Sequence, residues 1–160
     1  MKKWMFFLIS LLVIILDQAS KSAATHHLVL YQPFAIMPML NFTLAYNTGA
    51  AFSFLNSTGA WHHWFFMGFS FLVSLVLIVW ISRLSNHTER LQLIALSLIL
   101  PGAVANLIDR ISLGYVIDFI QIYYKHYYWP IFNIADSAIT VGTVLLAFDL
   151  YTQKPSSQQI

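Results

Sequence analysis

The sequence predicts an all-α membrane protein, four transmembrane helices with a small extracytoplasmic β-like loop region, in which residues 1–160 form a single integral-membrane domain. Three observations carry that expectation. Of 160 residues, 59% are hydrophobic and 9% charged, against roughly 45–50% and about 25% in a soluble domain. With a mean hydropathy of +0.70, too little polar surface remains to cover a core in water. Four segments, about 4–24, 60–81, 91–111 and 131–151, reach the length of about 20 apolar residues that roughly 30 Å of hydrocarbon demands. Finally, Lys2, Lys3, Arg83, Arg90 and Lys154 lie at one set of segment ends, whereas 25–59 contains no Lys or Arg. Basic residues stay inside, so both termini are expected in the cytoplasm.

The elements follow in order. Lys2-Lys3 and the apolar stretch Trp4 to Leu16 have the form of a cleavable signal peptide, but removing it would leave an odd number of spans with reversed charge bias; a retained helix is expected. The outer loop at about 25–59 holds Leu44-Ala45-Tyr46 and Ala51-Phe52-Ser53-Phe54-Leu55 around Asn47-Thr48-Gly49, two β-friendly runs about a turn, which predicts a small hairpin or curved sheet. In the third span Pro101 removes the donor to the Ser97 carbonyl and predicts a kink, with Gly102 allowing close packing. The second outer loop, about 112–130, carries Tyr123, Tyr124, Tyr127, Tyr128 and Trp129; with Trp61 and Trp64 they mark an outer aromatic belt. No internal repeat is visible, which weakens a transporter of inverted halves.

Composition also limits the chemistry. A net charge of +2 gives no cationic face for nucleic acid. The absence of cysteine excludes disulfides, thiolate nucleophiles and Cys-ligated metals. A zinc protease would need His-Glu-x-x-His on a helix, a pattern absent here, and the adjacent pairs His26-His27 and His62-His63 read as interfacial anchors. Neither metal nor cofactor is expected.

Ionisable residues inside a membrane are costly and usually functional. Glu89 and Asp149 read as solvated boundary charges, but Asp17, Asp109, Asp118 and Asp136 all fall toward the outer ends of their segments. At about 1.5 Å per residue, Asp17 lies some 20 Å from Trp4, and Asp136 about 9 Å below Pro130. Lys21, four residues after Asp17, can pair with it, and Asn106, Asp109 and Arg110 share one helix face on which Arg110 can pair with Asp109. Asp118 and Asp136 have no cation at helical spacing, and Arg110 is the expected nearest one in space. Two carboxylates together at a shielded site cannot both ionise easily, so one keeps a proton and the other becomes a base, as an aspartic protease requires. Structural pairing and proton translocation remain open on the same residues, as does a noncatalytic lipid- or peptide-binding subunit. Against a proton-coupled transporter or channel, the carboxylates cluster at one face rather than along a path.

Asp17-Gln18 with Lys21, Asn47-Thr48-Gly49-Ala50-Ala51-Phe52, Asn106-Leu107-Ile108-Asp109-Arg110, Val116-Ile117-Asp118-Phe119 and Phe132-Asn133-Ile134-Ala135-Asp136 together resemble the bacterial lipoprotein signal peptidase (signal peptidase II) family of aspartyl intramembrane proteases, over nearly the whole chain. The resemblance implies Asp118 and Asp136 as catalytic dyad, Asn47, Asn106, Arg110 and Asn133 in support of substrate or dyad geometry, and Asp17, Lys21 and Asp109 in a largely structural role. It implies a monomer in the bacterial inner membrane with its active site toward the outer face. Prolipoproteins carrying a diacylglyceryl-cysteine would be cut just before that cysteine, with membrane lipid as the other partner. One departure is Pro101-Gly102-Ala103-Val104-Ala105, where the family commonly reads Gly-Gly-Ala-x-Gly; it bears on helix approach rather than on chemistry.

Overall fold

A computed structural model describes residues 3–49, 61–85 and 89–152. In chain order the elements are α1 (Lys3–His27), β1 (Phe34–Met37), β2 (Leu40–Asn47), α2 (Trp61–Arg83), α3 (Arg90–Leu113), β3 (Val116–Tyr124), β4 (Tyr127–Tyr128) and α4 (Ile134–Thr152). All four helices are long and apolar enough to cross a membrane. Lys2, Lys154 and the expected strand 51–55 lie outside the described residues.

The helices divide their labour by burial. In α3 61% of the most apolar window is buried, against 17% in α1, 11% in α2 and 17% in α4, so α3 is the hub and the others present apolar faces to lipid. Exposed Leu11, Leu12, Phe69, Leu72, Val141 and Val144 are what a helix needs when its solvent is hydrocarbon. Lipid gives helices little hydrophobic reason to associate, so close backbone approach through small residues takes over. A Cβ on Gly102 would come within 2.6 Å of the Ala135 carbonyl, and one on Gly142 within 2.6 Å of that of Ala95. The expected close packing at Gly102 is therefore a contact between α3 and the first turn of α4.

Helix α3 runs through Pro101. The carbonyl deprived of its donor, Ser97 O, accepts a hydrogen bond from Ser10 Oγ of α1 at 3.1 Å. In hydrocarbon an unpaired carbonyl would be expensive, so this replacement partner makes the proline tolerable.

Because 51–55 lies outside the described residues, so does the second arm of the expected hairpin about Asn47-Thr48-Gly49; the described sheet pairs 40–47 with 34–37 and with the connection from α3 to α4, which also forms strands. Its order is β1-β2-β3-β4, antiparallel throughout. The partners of β2 are thus β1 and β3, the latter from a segment beyond α2 and α3 that composition marks only as loop. One face of the sheet packs Leu44, Ile117 and Phe119 on Ala24 near the end of α1, with the Phe42 and Phe119 rings edge to face at 5.8 Å. Gly114, at φ 87°, ends α3 in the left-handed conformation, and its N–H donates to Arg110 O. That cap turns the chain at once into β3.

Candidate active site

Two polar clusters occupy the place where α1, α3, the start of α4 and the sheet meet. The first is centred on Lys21, which is only 2% exposed. Its ammonium lies 2.7 Å from Asp17 Oδ2, 2.7 Å from Asp109 Oδ2 and donates to Asn106 Oδ1 at 3.0 Å. Three N–H donors therefore meet three acceptors, the condition for keeping a charge in a low-dielectric interior. The pairing of Lys21 with Asp17 is as expected. Asp109, however, pairs with Lys21 across helices and not with its neighbour Arg110, since its carboxylate lies on the α1 side of α3.

The same carboxylates hold backbone. Asp17 Oδ1 accepts from Ala135 N at 2.8 Å, satisfying a donor in the first turn of α4. Asp109 Oδ2 accepts from Ile117 N at 3.3 Å, beside Asp118. Gln18 adds an amide contact to Asp109 Oδ1 at 2.8 Å and to Asp17 Oδ2 at 3.3 Å. Gln18 belongs to the Asp17-Gln18 motif but has no role that spacing alone predicts; a polar amide in an apolar span is its signal in the sequence.

The second cluster is built on Asn133. The fourth helix begins at Ile134 rather than at the expected 131, because Asn133 caps it. Asn133 Oδ1 accepts from Asp136 N at 2.8 Å, and Asp136 Oδ2 accepts from Asn133 N at 3.2 Å. This reciprocal pair, Asn-x-x-Asp, is a capping box with Asp in the place of Glu. Asp136 therefore stands in the first turn of α4, three residues after its cap. The Asn133 amide also reaches β3, donating from Nδ2 to Asp118 Oδ1 at 2.7 Å. Asn47 Nδ2 donates to Asp118 Oδ2 at 2.9 Å, and Asn106 Nδ2 to Asp136 Oδ1 at 2.8 Å. Asn133 is thus bonded to both aspartates at once.

A β-bulge brings Asn47 to this site. Phe42 pairs with Ile120 but Ala45 with Asp118, so two residues of β2, Thr43 and Leu44, oppose the single Phe119 of β3. Without the extra residue Asn47 would oppose Tyr115 and point away from the Asp118 face. With it Asn47 opposes Val116, two residues from Asp118 and on the same side. A bend at Gly49, φ 93°, is closed by its N–H donating to Asn47 Oδ1 at 2.8 Å.

Among the described residues neither Asp118 nor Asp136 has a cation at ion-pair distance. Arg110 flanks the pair instead: its Nη1 donates to Asn106 O at 3.2 Å, and its guanidinium carbon stands 5.8 Å from the Phe66 ring centre. Burial, and then the charge of Asp136, push the Asp118 carboxyl up to about 7, against the opposing effect of the Asn47 and Asn133 donors and the Lys21 charge. A carboxyl at that position holds a proton near neutrality, as a general acid must. A groove of about 630 Å³, lined by Ile122, Trp129, Phe132, Ser137 and Thr140, opens beside Asp136. Asp136, and not Asp118, lines it.

All nine sequence-predicted site residues gather here. Asn47, Asp118, Asn133, Asp136, Asn106, Lys21, Asp17 and Asp109 form one continuous hydrogen-bonded network, with Arg110 at its edge. Asp149 lies elsewhere. It is not the solvated charge expected of it, since it is half-buried and accepts from Gln92 Nε2 at 2.9 Å, joining the other ends of α3 and α4.

Comparison with known proteins gives one answer. The family described as signal peptidase (SPase) II matches residues 9–152. A lipoprotein signal peptidase of Coxiella burnetii is 52% identical over 145 residues, 91% of this chain and 88% of the relative. One from Acinetobacter baylyi is 50% identical over 143 residues, covering 89% and 79%. A solved bacterial membrane enzyme, determined by the in meso method at 1.9 Å, superposes with a TM-score of 0.75 at 31% identity, covering 94% of each chain.

Proposed function

Because the chain belongs to the signal peptidase II family, proteases that remove signal peptides from prolipoproteins, we propose that it works as an aspartyl endopeptidase with Asp118 and Asp136 as its catalytic dyad. The observation that carries this reading is the bridging of buried Asp118 and half-buried Asp136 by Asn133, with no cation among the described residues paired to either. The ionised member takes a proton from water as the oxygen attacks the scissile carbonyl carbon, while the protonated member gives its proton to the carbonyl oxygen. The gem-diol then collapses: its hydroxyl returns a proton to the second carboxylate, the C–N bond breaks, and the proton held by the first goes to the leaving amine. The transporter and noncatalytic readings are not favoured by the family.

The remaining residues divide into two supports. Asn47, Asn106 and Asn133 orient the dyad, and Arg110 sits where it can hold a substrate carbonyl. Asp17, Lys21 and Asp109 hold the backbone of α4 and β3 that carries the dyad. The chain is a multi-pass membrane protein. We place it in the bacterial inner membrane as a monomer, with both termini cytoplasmic, on the strength of the basic residues at one set of helix ends. The dyad then lies near the outer face, where a signal peptide's cleavage site emerges. Neither cofactor nor metal enters the reaction.

The substrate carries diacylglyceryl on the cysteine after the scissile bond. Precursor with and without that group, offered to purified protein in detergent, tests this. Only the lipidated form should be cut efficiently; equal cleavage of both would make this a general signal peptidase.

A further inference from the structure

Three asparagine amides face the two aspartates, and the direction of each is fixed by what its oxygen accepts. Asn47 Oδ1 accepts from Gly49 N, and Asn133 Oδ1 from Asp136 N. Asn106 Oδ1 accepts from Lys21 Nζ at 3.0 Å and from Asn133 Nδ2 at 3.1 Å. An ammonium has no lone pair, so Asn106 can turn only its oxygen toward Lys21, and its NH₂ must then point at Asp136. Every amide thus presents a donor to a carboxylate.

Each aspartate receives a donor on both oxygens, so counting bonds does not separate them. Their surroundings do. Asp136 stands in the first turn of α4, where the unsatisfied N–H groups favour an anion, and takes one of its bonds from the backbone. Its other donor is an amide polarised by a buried cation. Asp118 stands on a strand, outside any helix, and both its donors are neutral side-chain amides. The charged groups near the pair are Asp17 and Lys21 from α1, Asp109 and Arg110 from α3, and the aspartates themselves. Two cations and two anions from α1 and α3 nearly cancel at a distance. What remains is local, and Lys21 is one amide away from Asp136.

Resting on the reading of Asp118 and Asp136 as the dyad, we propose that Lys21 is a positioning residue that, through Asn106, makes Asp136 the ionised base and leaves the shared proton on Asp118. Lys21 never touches the reacting atoms; together with the Asn133 amide it holds the Asn106 carbonyl away from Asp136, and its charge polarises the Asn106 NH₂ that donates to Asp136. Water then gives its proton to Asp136, and Asp118 gives its own to the scissile carbonyl.

Two measurements test this. In Lys21→Met, Asn106 Oδ1 keeps only the Asn133 amide as donor and the NH₂ facing Asp136 loses the cation that polarises it, so the acidic limb of kcat/KM against pH should move to higher pH by about one unit. Lys21→Arg, which keeps a cation, should move it back. Activity lowered equally at all pH values, with the limb unmoved, would overturn the proposal. The second measurement needs only Asp118→Asn and Asp136→Asn, each leaving one carboxyl, and follows the protonated-carboxyl infrared band in detergent as pH rises. The band should persist to higher pH when Asp118 is the carboxyl left than when Asp136 is. The reverse order, with both variants inactive, would overturn this inference and leave the dyad standing; full cleavage by either variant would overturn the dyad itself. If Lys21→Met does not fold, the infrared order decides alone.

Discussion

The two aspartate clusters lie side by side, share Asn106, and are built in opposite ways. Around Lys21, opposite charges meet at 2.7 Å and every ammonium proton has an acceptor. Around Asn133, two carboxylates receive only amide and backbone donors and, among the described residues, no ion-pair partner. The first cluster joins α1, α3, β3 and α4 in a medium where an unpaired ion is expensive; the second leaves an electrostatic conflict unresolved. A buried charge that is compensated supports the fold, and one that is not compensated is available for chemistry.

The largest effect should come from the uncompensated side. Asp136→Asn should lower cleavage by about a thousandfold or more, since proton transfer is lost while volume is kept. Melting in detergent should be little changed, and the double variant with Asp118→Asn should be no worse than either single one, because the two act as a unit. On the compensated side, Asp17→Asn should cost about 2 kcal/mol of stability by weakening charge-assisted bonds. Lost cleavage there should follow the loss of folded protein, measured as activity per folded molecule. A stable but inactive Asp17→Asn would blur the division between the clusters.

A smaller effect sharpens the comparison within the dyad. Asn47→Ala removes one donor to Asp118, worth about tenfold in kcat. Asn47 is among the groups that favour the Asp118 anion, so without it Asp118 holds its proton further up the pH scale. The alkaline limb of the rate profile should therefore move to higher pH even as the rate falls. A limb moving to lower pH would remove Asp118 from the role of acid.

How much of this is legible in the sequence depends on the range of the signal. The four spans follow from length and hydropathy, and Lys21 with Asp17 follows from an i,i+4 spacing. The start of α4 was readable too: Asn133 three residues before Asp136 is a cap signature, outweighed by the apolar Ile131 and Phe132 before it. Longer-range features were not readable. Nothing local tells that Asp109 turns to Lys21 of α1 instead of to Arg110, or that β2 pairs with β3 across α2 and α3. The bulge at Thr43 and Leu44 is a matter of register, set by Phe119 of a strand distant in sequence, yet it alone brings Asn47 to the Asp118 face. Five short blocks in order contain the residues that gather at the site, and the fold supplies the reason each is held where it is.

The most direct test of the division compares Asp118→Asn and Asp17→Asn at equal concentrations of folded protein, with melting and cleavage of lipidated precursor measured on the same samples. Asp118→Asn should melt like the parent and not cleave; Asp17→Asn should melt lower and cleave for as long as it stays folded. Cleavage near the parent's rate by folded Asp118→Asn would contradict the account.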